Sequence, residues 1–352
     1  MTDLTSTPLP VTILTGFLGA GKTTLLNRLL SAHHGLRLGV LVNDFGAINI
    51  DERLVDVIDG DLMSLTNGCV CCSMQGSLVS TTLNMLGRAP PPEALIVEAS
   101  GIADPASVAG AFRTSALRDQ TRIDGIVAVV DAENARNPRL DLQLITEQIR
   151  TADIVVLNKV DLVDEKSCQD LIAWIRSVAP TSRIVPAVEA HVPVDIVMGV
   201  GREMGSGGRW ASGVEDDRND VPRHDHSAAF GAWSYSTRHP LAYRKVRAAL
   251  EGLPLDVFRA KGTLALADAP NLRFTTQMVG RRVSIQPDHP WDDALRGTEI
   301  AFIGRPDAIT SAELAARFDA CITDSLVLMS RPNLEAAKRS SAAGRLLAAT
   351  VP

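Results

Sequence analysis

Residues 16–23 near the start of the chain form a phosphate-binding pattern. Their sequence, GFLGAGKT, fits G-x-x-x-x-G-K-[ST] without a mismatch. The glycines let the backbone curl so that its N–H groups face a phosphate, and a following helix adds partial positive charge. Lys22 can reach the β- and γ-phosphates, and the Thr23 hydroxyl can bind Mg²⁺. The pattern predicts nucleotide contacts from Gly16, Gly19, Ala20, Gly21, Lys22, Thr23 and Thr24.

Three cysteines within four positions, Cys69, Cys71 and Cys72, form a second cluster. In an extended backbone Cys69 and Cys71 point to the same side, and Cys72 can complete a three-thiolate set. A helix predicted to follow lowers thiol pKa values and so favours thiolates. Three soft ligands suit Zn²⁺ or another thiophilic ion and leave a fourth position open. The alternative is a buried or redox-active thiol cluster.

Two acidic residues follow predicted strands. Asp44 comes just after the strand predicted over residues 36–42, and Glu98 ends the next buried apolar run. Open α/β sheets bind ligands at this end of their strands. We therefore predict that Glu98 binds Mg²⁺ or orients water, that Asp44 contacts a metal, and that the Gly101 backbone N–H reaches the γ-phosphate. With Lys22, Glu98 and Asp44 are the catalytic candidates.

The sequence NKVD, residues 158–161, ends another apolar run and predicts the base. The Asp161 carboxylate can accept hydrogen bonds from guanine N1–H and the 2-amino group, whereas adenine would leave it unpaired. Asn158 can contact the base edge, and the Lys159 stem can lie along the ring. GTP is therefore the expected nucleotide.

Buried apolar runs alternate with amphipathic runs through the first 190 residues. The apolar runs predict strands over residues 11–15, 36–42, 94–98, 125–132, 153–162 and 183–188. This alternation predicts an α/β fold of the P-loop NTPase type, with a mostly parallel sheet flanked by helices. A smaller α+β domain is predicted to follow.

The composition limits the classes of function. The chain has 352 residues, 45% hydrophobic and 22% charged, and a formal net charge of −6, which argues against a general nucleic-acid binder. No apolar run has the length of a membrane span, and the first ten residues lack a signal-peptide core. We expect a cytoplasmic protein that uses neither membrane nor nucleic acid as a partner.

The composition also predicts three regions. Residues 1–200 form the expected GTPase domain, glycine- and charge-rich residues 201–226 a flexible linker, and residues 227–352 the α+β domain. The linker ends in His224 and His226, which we interpret as solvated, although a metal-collecting tether is the alternative. The tail after Arg331 predicts a frayed terminus rather than a docking helix.

Together these motifs resemble the CobW/zinc-chaperone family of P-loop GTPases. The matching stretches are GFLGAGKTTLLN, NDFGAINID, NGCVCCS, EASGIADP and NKVDL, in this order. The resemblance implies GTP hydrolysis, with Mg²⁺, coupled to delivery of a metal, usually zinc, to a metal-requiring client protein. It assigns the metal to Cys69, Cys71 and Cys72. Many relatives carry glutamates where this chain has Asp44 and Ala47, so an extra carboxylate ligand from that stretch is not expected at Ala47.

Alternatives concern the cargo and the nucleotide. Three thiolates also accept cobalt or iron, which would make the chain an insertion GTPase for cobalamin synthesis or nitrile hydratase activation. A P-loop ATPase or small-molecule kinase is the alternative without guanine specificity, and a metal sensor is the alternative without delivery. A homo-oligomer is compatible with all of these.

Overall fold

The computed structural model of the protein describes residues 8–32, 35–42, 61–64, 73–137, 140–198, 230–291 and 296–323. Two sheets, each with its own helices, organise these residues. The first sheet carries the phosphate-binding pattern, and the second begins at residue 231.

The first sheet has seven strands, and each pair of neighbours is parallel. The strands are β1 (Leu9–Thr15), β2 (Leu38–Val42), β3 (Asp61–Ser64), β4 (Ala94–Glu98), β5 (Thr121–Asp131), β6 (Ile154–Asn158) and β7 (Arg183–Pro186). Their order in space is β3-β2-β4-β1-β5-β6-β7. The connecting helices are α1 (Lys22–Ser31), α2 (Ser73–Leu86), α3 (Pro105–Ala111), α4 (Leu142–Thr151), α5 (Glu165–Val178) and α6 (Val194–Met198).

Burial on both faces explains the continuous apolar strands of this sheet. Every residue of β2, β4 and β6 is buried, as expected for a parallel sheet covered on both sides. Leu25, Leu26 and Leu29 of α1 pack on one face. The helices α2, α3, α4 and α5 contribute residues to two clusters that lie on the opposite face. In β4 and β6 the one polar side chain thus stands at the carboxyl end, Glu98 and Asn158 respectively.

The strand register brings the functional segments to one edge. Leu14 pairs with Glu98, Thr15 with Ala128, and Asp131 with Asn158. The carboxyl ends of β1, β4, β5 and β6 therefore lie side by side. This edge is where open α/β sheets hold their ligands.

The second sheet is antiparallel throughout. Its strands are β8 (Gly231–Thr237), β9 (Val257–Ala265), β10 (Leu272–Val279), β11 (Arg282–Pro290) and β12 (Thr298–Gly304), in the order β11-β10-β9-β12-β8. Helices α7 (Tyr243–Glu251) and α8 (Ser311–Asp319) cover one face. The rings of Tyr235 and Phe302 each contact that of Phe318 in a tilted arrangement in that core, and the Tyr235 hydroxyl donates to Asp319.

The two sheets share part of their core. Phe258, Val279 and Ile303 of the second sheet join the cluster that also contains the apolar residues of α1 and α6. The contact lies at the amino ends of β5, β6 and β7, where Gly280 approaches the backbone of Asp153. It is therefore at the opposite end of the strands from the phosphate-binding pattern.

The predicted fold class is confirmed: a parallel sheet flanked by helices precedes a smaller α+β unit. The sequence did not predict β3, α3 or α6, each seven residues or shorter, because short elements carry little periodicity. No helix in the described ranges is both long and apolar enough to cross a membrane. The boundaries at residues 200 and 226 stay predictions, since residues 199–229 are outside the described ranges.

Candidate functional site

The phosphate loop follows β1 and requires glycine at two positions. Gly16 has a φ of 136°, and a Cβ there would lie 2.1 Å from the Val129 carbonyl oxygen. Gly21 has a φ of 106°, and a Cβ there would lie 2.4 Å from Nδ2 of Asn158. Both conformations and both close approaches exclude larger side chains. The glycines thus let the loop pack directly on β5 and β6.

The first turn of α1 places two functional side chains beside β4. Lys22 is 8% exposed, and its Nζ donates to the Phe17 carbonyl oxygen at 3.3 Å, across the loop. Thr23 Oγ1 donates to Oε1 of the buried Glu98 at 3.0 Å. A hydroxyl and a carboxylate in contact are the donor set expected of a Mg²⁺ site in a P-loop protein. Thr24 is exposed on the next position of the helix.

The loop after Glu98 lies directly against the phosphate loop. A Cβ at Gly101 would lie 2.8 Å from the backbone nitrogen of Leu18. Asp104 caps α3, accepting hydrogen bonds from the backbone N–H groups of Ala106 and Ser107 at 2.9 and 3.2 Å. Glycine at position 101 therefore allows the two loops to touch, and Asp104 fixes the far end of the second loop.

Asn158 joins the phosphate loop to the loop after β7. Its Nδ2 donates to the Ala20 carbonyl oxygen at 2.9 Å, and its Oδ1 accepts from the Ala190 N–H at 2.6 Å. The side chain is 2% exposed. We expected Asn158 at the base edge; in the structure its two polar atoms bond to the protein backbone, and it shapes the pocket.

Arg28 of α1 supports the loop after β7. It donates to the Glu189 carbonyl oxygen at 2.7 Å and pairs with the Glu189 carboxylate at 3.1 Å. Glu189 and Ala190 both have positive φ angles, 48° and 58°, which residues other than glycine adopt only when held. The loop is thus fixed from two sides, by Arg28 and by Asn158.

Lys159 pairs with Asp131 at the end of β5. Lys159 has a φ of 61°, and its Nζ lies 2.7 Å from Asp131 Oδ2. Burial opposes ionisation of Asp131, but hydrogen bonds from Lys159 and Asn134 outweigh it, so the pKa of this carboxyl lies below its usual value. Asp161 lies exposed in the short 3₁₀ turn that follows β6. Its carboxylate is accessible to an incoming base.

A cavity of about 230 Å³ lies behind the phosphate loop. Its lining includes the loop, the end of β5 and helix α4, which contributes Gln148. No sequence motif indicated a role for Asp131, Arg28 or Gln148. Asp131 ends an apolar strand, which is the same signal that selected Glu98, whereas Arg28 and Gln148 lie within amphipathic helices and carry no local signal.

Asp44, Cys69, Cys71 and Cys72 lie outside the described residues. Residues 65–72 connect the carboxyl end of β3 with the start of α2, and residues 43–60 connect β2 with β3. Among the residues that are described, no group of three or more His, Cys, Asp or Glu side chains could hold a metal ion. The metal assignment to the three cysteines stays a prediction.

Comparison with known proteins assigns both parts of the chain. The family described as CobW/HypB/UreG, nucleotide-binding domain, matches residues 10–186, and the cobalamin synthesis protein cobW C-terminal domain matches residues 230–322. The chain belongs to the CobW family. The predicted resemblance is therefore confirmed. With its phosphate loop and NKVD strand end, the chain is a P-loop GTPase of this family.

Individual relatives are similar over nearly the full length. The zinc chaperone CobW of a Sinorhizobium species is 31% identical in an alignment of 348 positions that covers 88% of this chain and 96% of the relative. The zinc chaperone YjiA of Escherichia coli K12 is 30% identical, covering 84% of this chain and 94% of its own. The crystal structure of the Zn(II)-bound YjiA GTPase from E. coli covers 90% of this chain and 100% of its own, with 24% identity and a TM-score of 0.45.

Proposed function

We propose that this CobW-family protein is a GTP-hydrolysing metallochaperone that holds zinc through Cys69, Cys71 and Cys72 and transfers it to client proteins. The observation that carries the proposal is the junction of Thr23, Glu98 and Gly101 at the phosphate loop. This junction can respond to a γ-phosphate. The names of two relatives, zinc chaperone CobW and zinc chaperone YjiA, support zinc as the cargo.

The hydrolysis site needs charge neutralisation and positioning more than a strong base. In this proposal Thr23 and Glu98 hold Mg²⁺, which neutralises the phosphate charge when bound. Lys22 binds the β- and γ-phosphates, and the Gly101 backbone N–H contacts the γ-phosphate. Asp44 is the third catalytic candidate predicted from the sequence, as a residue that contacts a metal. Asp161 selects guanine.

Strand order supports a coupling between nucleotide and metal. The strand that ends in Glu98, β4, pairs with β2, and β2 pairs with β3. The segments after β2 and β3, which contain Asp44 and the three cysteines, therefore start from the same sheet edge as Glu98. We propose that the γ-phosphate orders these segments and that hydrolysis releases them, so that the metal passes to a client by ligand exchange.

Removal of the cluster thiols tests the metal site. The full chain with Cys69, Cys71 and Cys72 replaced by serine is expected to retain less than about a tenth of the bound zinc, because hydroxyl groups are poor zinc ligands. Zinc content is measured by elemental analysis, with Cys168→Ser as the matched control. Transfer is then measured to a chromogenic zinc chelator with GTP, GDP or a non-hydrolysable analogue. Equal transfer in all three states would contradict GTP-driven delivery.

A second cargo has one observation in its favour. The C-terminal part of the chain matches a domain described from a cobalamin synthesis protein, which favours cobalt. Competition between zinc and cobalt for the same cysteines decides between them. If the protein retains cobalt in the presence of equimolar zinc, cobalt rather than zinc is the cargo.

Guanine selection is tested at Asp161. The wild type is expected to bind GTP about a hundredfold or more tightly than ATP, and Asp161→Ala to abolish most of that preference, because the purine donors then lack an acceptor. Fluorescent analogues of both nucleotides measure the affinities. Asp170→Ala, an exposed carboxylate on α5, is the control. Equal affinity of the wild type for GTP and ATP would support the ATPase alternative.

A further inference from the structure

Gln148 of α4 connects that helix to the loop after Glu98. Its side chain is 1% exposed, and its Nε2 donates to the carbonyl oxygen of Gly101 at 3.0 Å and to that of Ala103 at 3.5 Å. These bonds join segments 47 and 45 positions apart in the chain. A buried glutamine that bonds only backbone carbonyls of one loop determines where that loop lies.

Gln148 is also one of the residues around the cavity behind the phosphate loop. Gln148 lines this cavity together with Gly16, Phe17, Leu18 and Gly19. Within the described part of the chain, Oε1 of Gln148 has no hydrogen-bond partner. The hydrogen bonds from Nε2 to the Gly101 and Ala103 carbonyl oxygens therefore orient the Gln148 amide.

The loop from Ala99 to Asp104 is held at three places. At its start the Ala99 N–H donates to the Leu14 carbonyl oxygen at 2.8 Å, and at its end Asp104 caps α3. Gln148 holds the middle. Because a trans peptide places C=O and N–H on opposite sides, a Gly101 carbonyl held toward α4 directs the Ile102 N–H away from it. The carbonyl that Gln148 holds thus belongs to Gly101, the residue that packs against Leu18 of the phosphate loop.

We propose that Gln148 is a positioning residue that sets the Gly101 loop for the γ-phosphate, so that it favours GTP over GDP. The inference rests on the proposed GTP hydrolysis but not on metal transfer. GDP has no γ-phosphate, so its binding does not depend on this loop. The contribution of Gln148 is accordingly specific to the triphosphate state.

The first test replaces Gln148 by leucine in the full chain. GTP affinity and kcat are each expected to fall about tenfold, the effect of losing neutral hydrogen bonds that hold a loop, while GDP affinity changes less than about twofold. Fluorescent GTP and GDP titrations measure the affinities, and phosphate release measures kcat and KM. Gln143→Leu, an exposed glutamine on the same helix, is expected to leave all of these values unchanged.

The second test, Gln148→Glu, keeps the shape of the side chain but removes the donor at neutral pH. Burial beside two carbonyl oxygens raises the pKa of such a carboxyl, and its protonated form can again donate. GTP hydrolysis by this variant is expected to recover several-fold relative to wild type as the pH falls from about 8 to about 6. Gln148→Leu is expected to show no such recovery. A purely structural role would give GDP affinity the same pH dependence as GTP hydrolysis, whereas the proposed role leaves GDP affinity unchanged over this range.

Three results would overturn the inference. The first is an equal loss of GTP and GDP affinity in Gln148→Leu, which would make Gln148 a general support of the fold. The second is no loss of GTP affinity. The third result is used if Gln148→Leu does not fold. It is a pH dependence of GTP hydrolysis in Gln148→Glu that runs parallel to that of wild type. If wild type hydrolyses GTP and Asp161→Ala abolishes its preference for GTP over ATP, these results reject only the role of Gln148. If wild type does not hydrolyse GTP, the proposed function itself is rejected.

Discussion

The two ends of β5, β6 and β7 carry polar groups that serve different purposes. At the carboxyl ends, Asp131 and Asn158 organise the nucleotide pocket, and the segment after β7 is bonded to Asn158. At the amino ends, Asp124, Asp153 and Arg183 bond to the second sheet. The same three strands thus connect the edge that holds the candidate nucleotide site with the contact between the two parts of the chain.

The amino ends are dominated by buried charge. Arg259 of β9 pairs with Asp124, and both are nearly inaccessible to solvent. Arg183 donates to the Gly280 carbonyl oxygen at 2.8 Å, and burial lowers the pKa of its guanidinium to about 10. Burial also raises the pKa of Asp153, although Arg282 and the Ile126 N–H oppose this shift. Desolvation is the strongest influence at this end.

At the carboxyl ends hydrogen bonding outweighs burial. Asp131 has a lowered pKa because Lys159 and Asn134 compensate for its partial burial. Asn158 is buried but neutral, and the cost of removing its amide from water is offset by its two hydrogen bonds to the backbone. The buried charges at the contact between the two sheets therefore contribute mainly to the stability of the fold. The polar groups at the opposite edge mainly hold loops in position.

The largest expected effect comes from breaking the buried pair at the amino ends. Arg259→Met removes the buried one of two arginine partners of Asp124, leaving the partly exposed Arg122, and is expected to reduce the free energy of unfolding by about 3 kcal/mol. Chemical denaturation measures it. Asp124→Asn combined with Arg259→Met is expected to recover part of the loss, because position 124 then no longer carries a buried carboxylate that has lost Arg259.

The matched control for Arg259 is Arg273→Met. Its pair with Asp288 is partly exposed, so a loss below about 1 kcal/mol is expected. The GTP affinity of the folded Arg259→Met variant is expected to stay within about twofold of wild type, since the nucleotide edge lies at the other end of the strands. A tenfold loss of GTP affinity in the folded variant would show that the two ends are coupled.

A smaller effect on stability and a larger one on binding are expected at Asn158. Asn158→Ala leaves the Ala190 N–H and the Ala20 carbonyl without this partner, and GTP affinity is expected to fall about ten- to a hundredfold. Titration with fluorescent GTP measures the change. Asn84→Ala, exposed on α2, is the control. A variant that binds GTP as wild type does would contradict the bridging role of Asn158.

The smallest expected effect is a difference of sign in pH dependence. Asp131 has a lowered pKa, so its stabilisation is present above the unfolded value near about 4 and is lost as the pH falls. Asp153 has a raised pKa, so its contribution is present below that value and is lost as the pH rises through the folded pKa.

Unfolding free energies of Asp131→Asn and Asp153→Asn, measured between about pH 3 and pH 7, separate the two carboxyls. Relative to wild type, Asp131→Asn is expected to look least destabilised at the acid end of this range, and Asp153→Asn at the neutral end. The same sign for both variants would remove the electrostatic difference between the two ends.

Much of the nucleotide site could be predicted from local sequence. The phosphate loop, the acid at the end of β4 and NKVD are contiguous patterns, and their chemistry follows from residue type and spacing. Asp104 shows the limit of this reasoning, because Asp-Pro fits a turn as well as a helix cap. The structure shows a cap on α3.

The sequence by itself determined the nucleotide class, the alternation of strands and helices, and the residues that form the phosphate loop, because these depend on neighbours along the chain. Only the tertiary structure decided that Asn158 bonds to Ala20 and Ala190, that Gln148 holds the Gly101 loop, and that Arg259 pairs with Asp124. Those contacts join positions between 32 and 138 residues apart. Their polar groups are buried and therefore need hydrogen-bond or ion-pair partners within the folded chain. A local sequence pattern does not predict which distant residue is that partner.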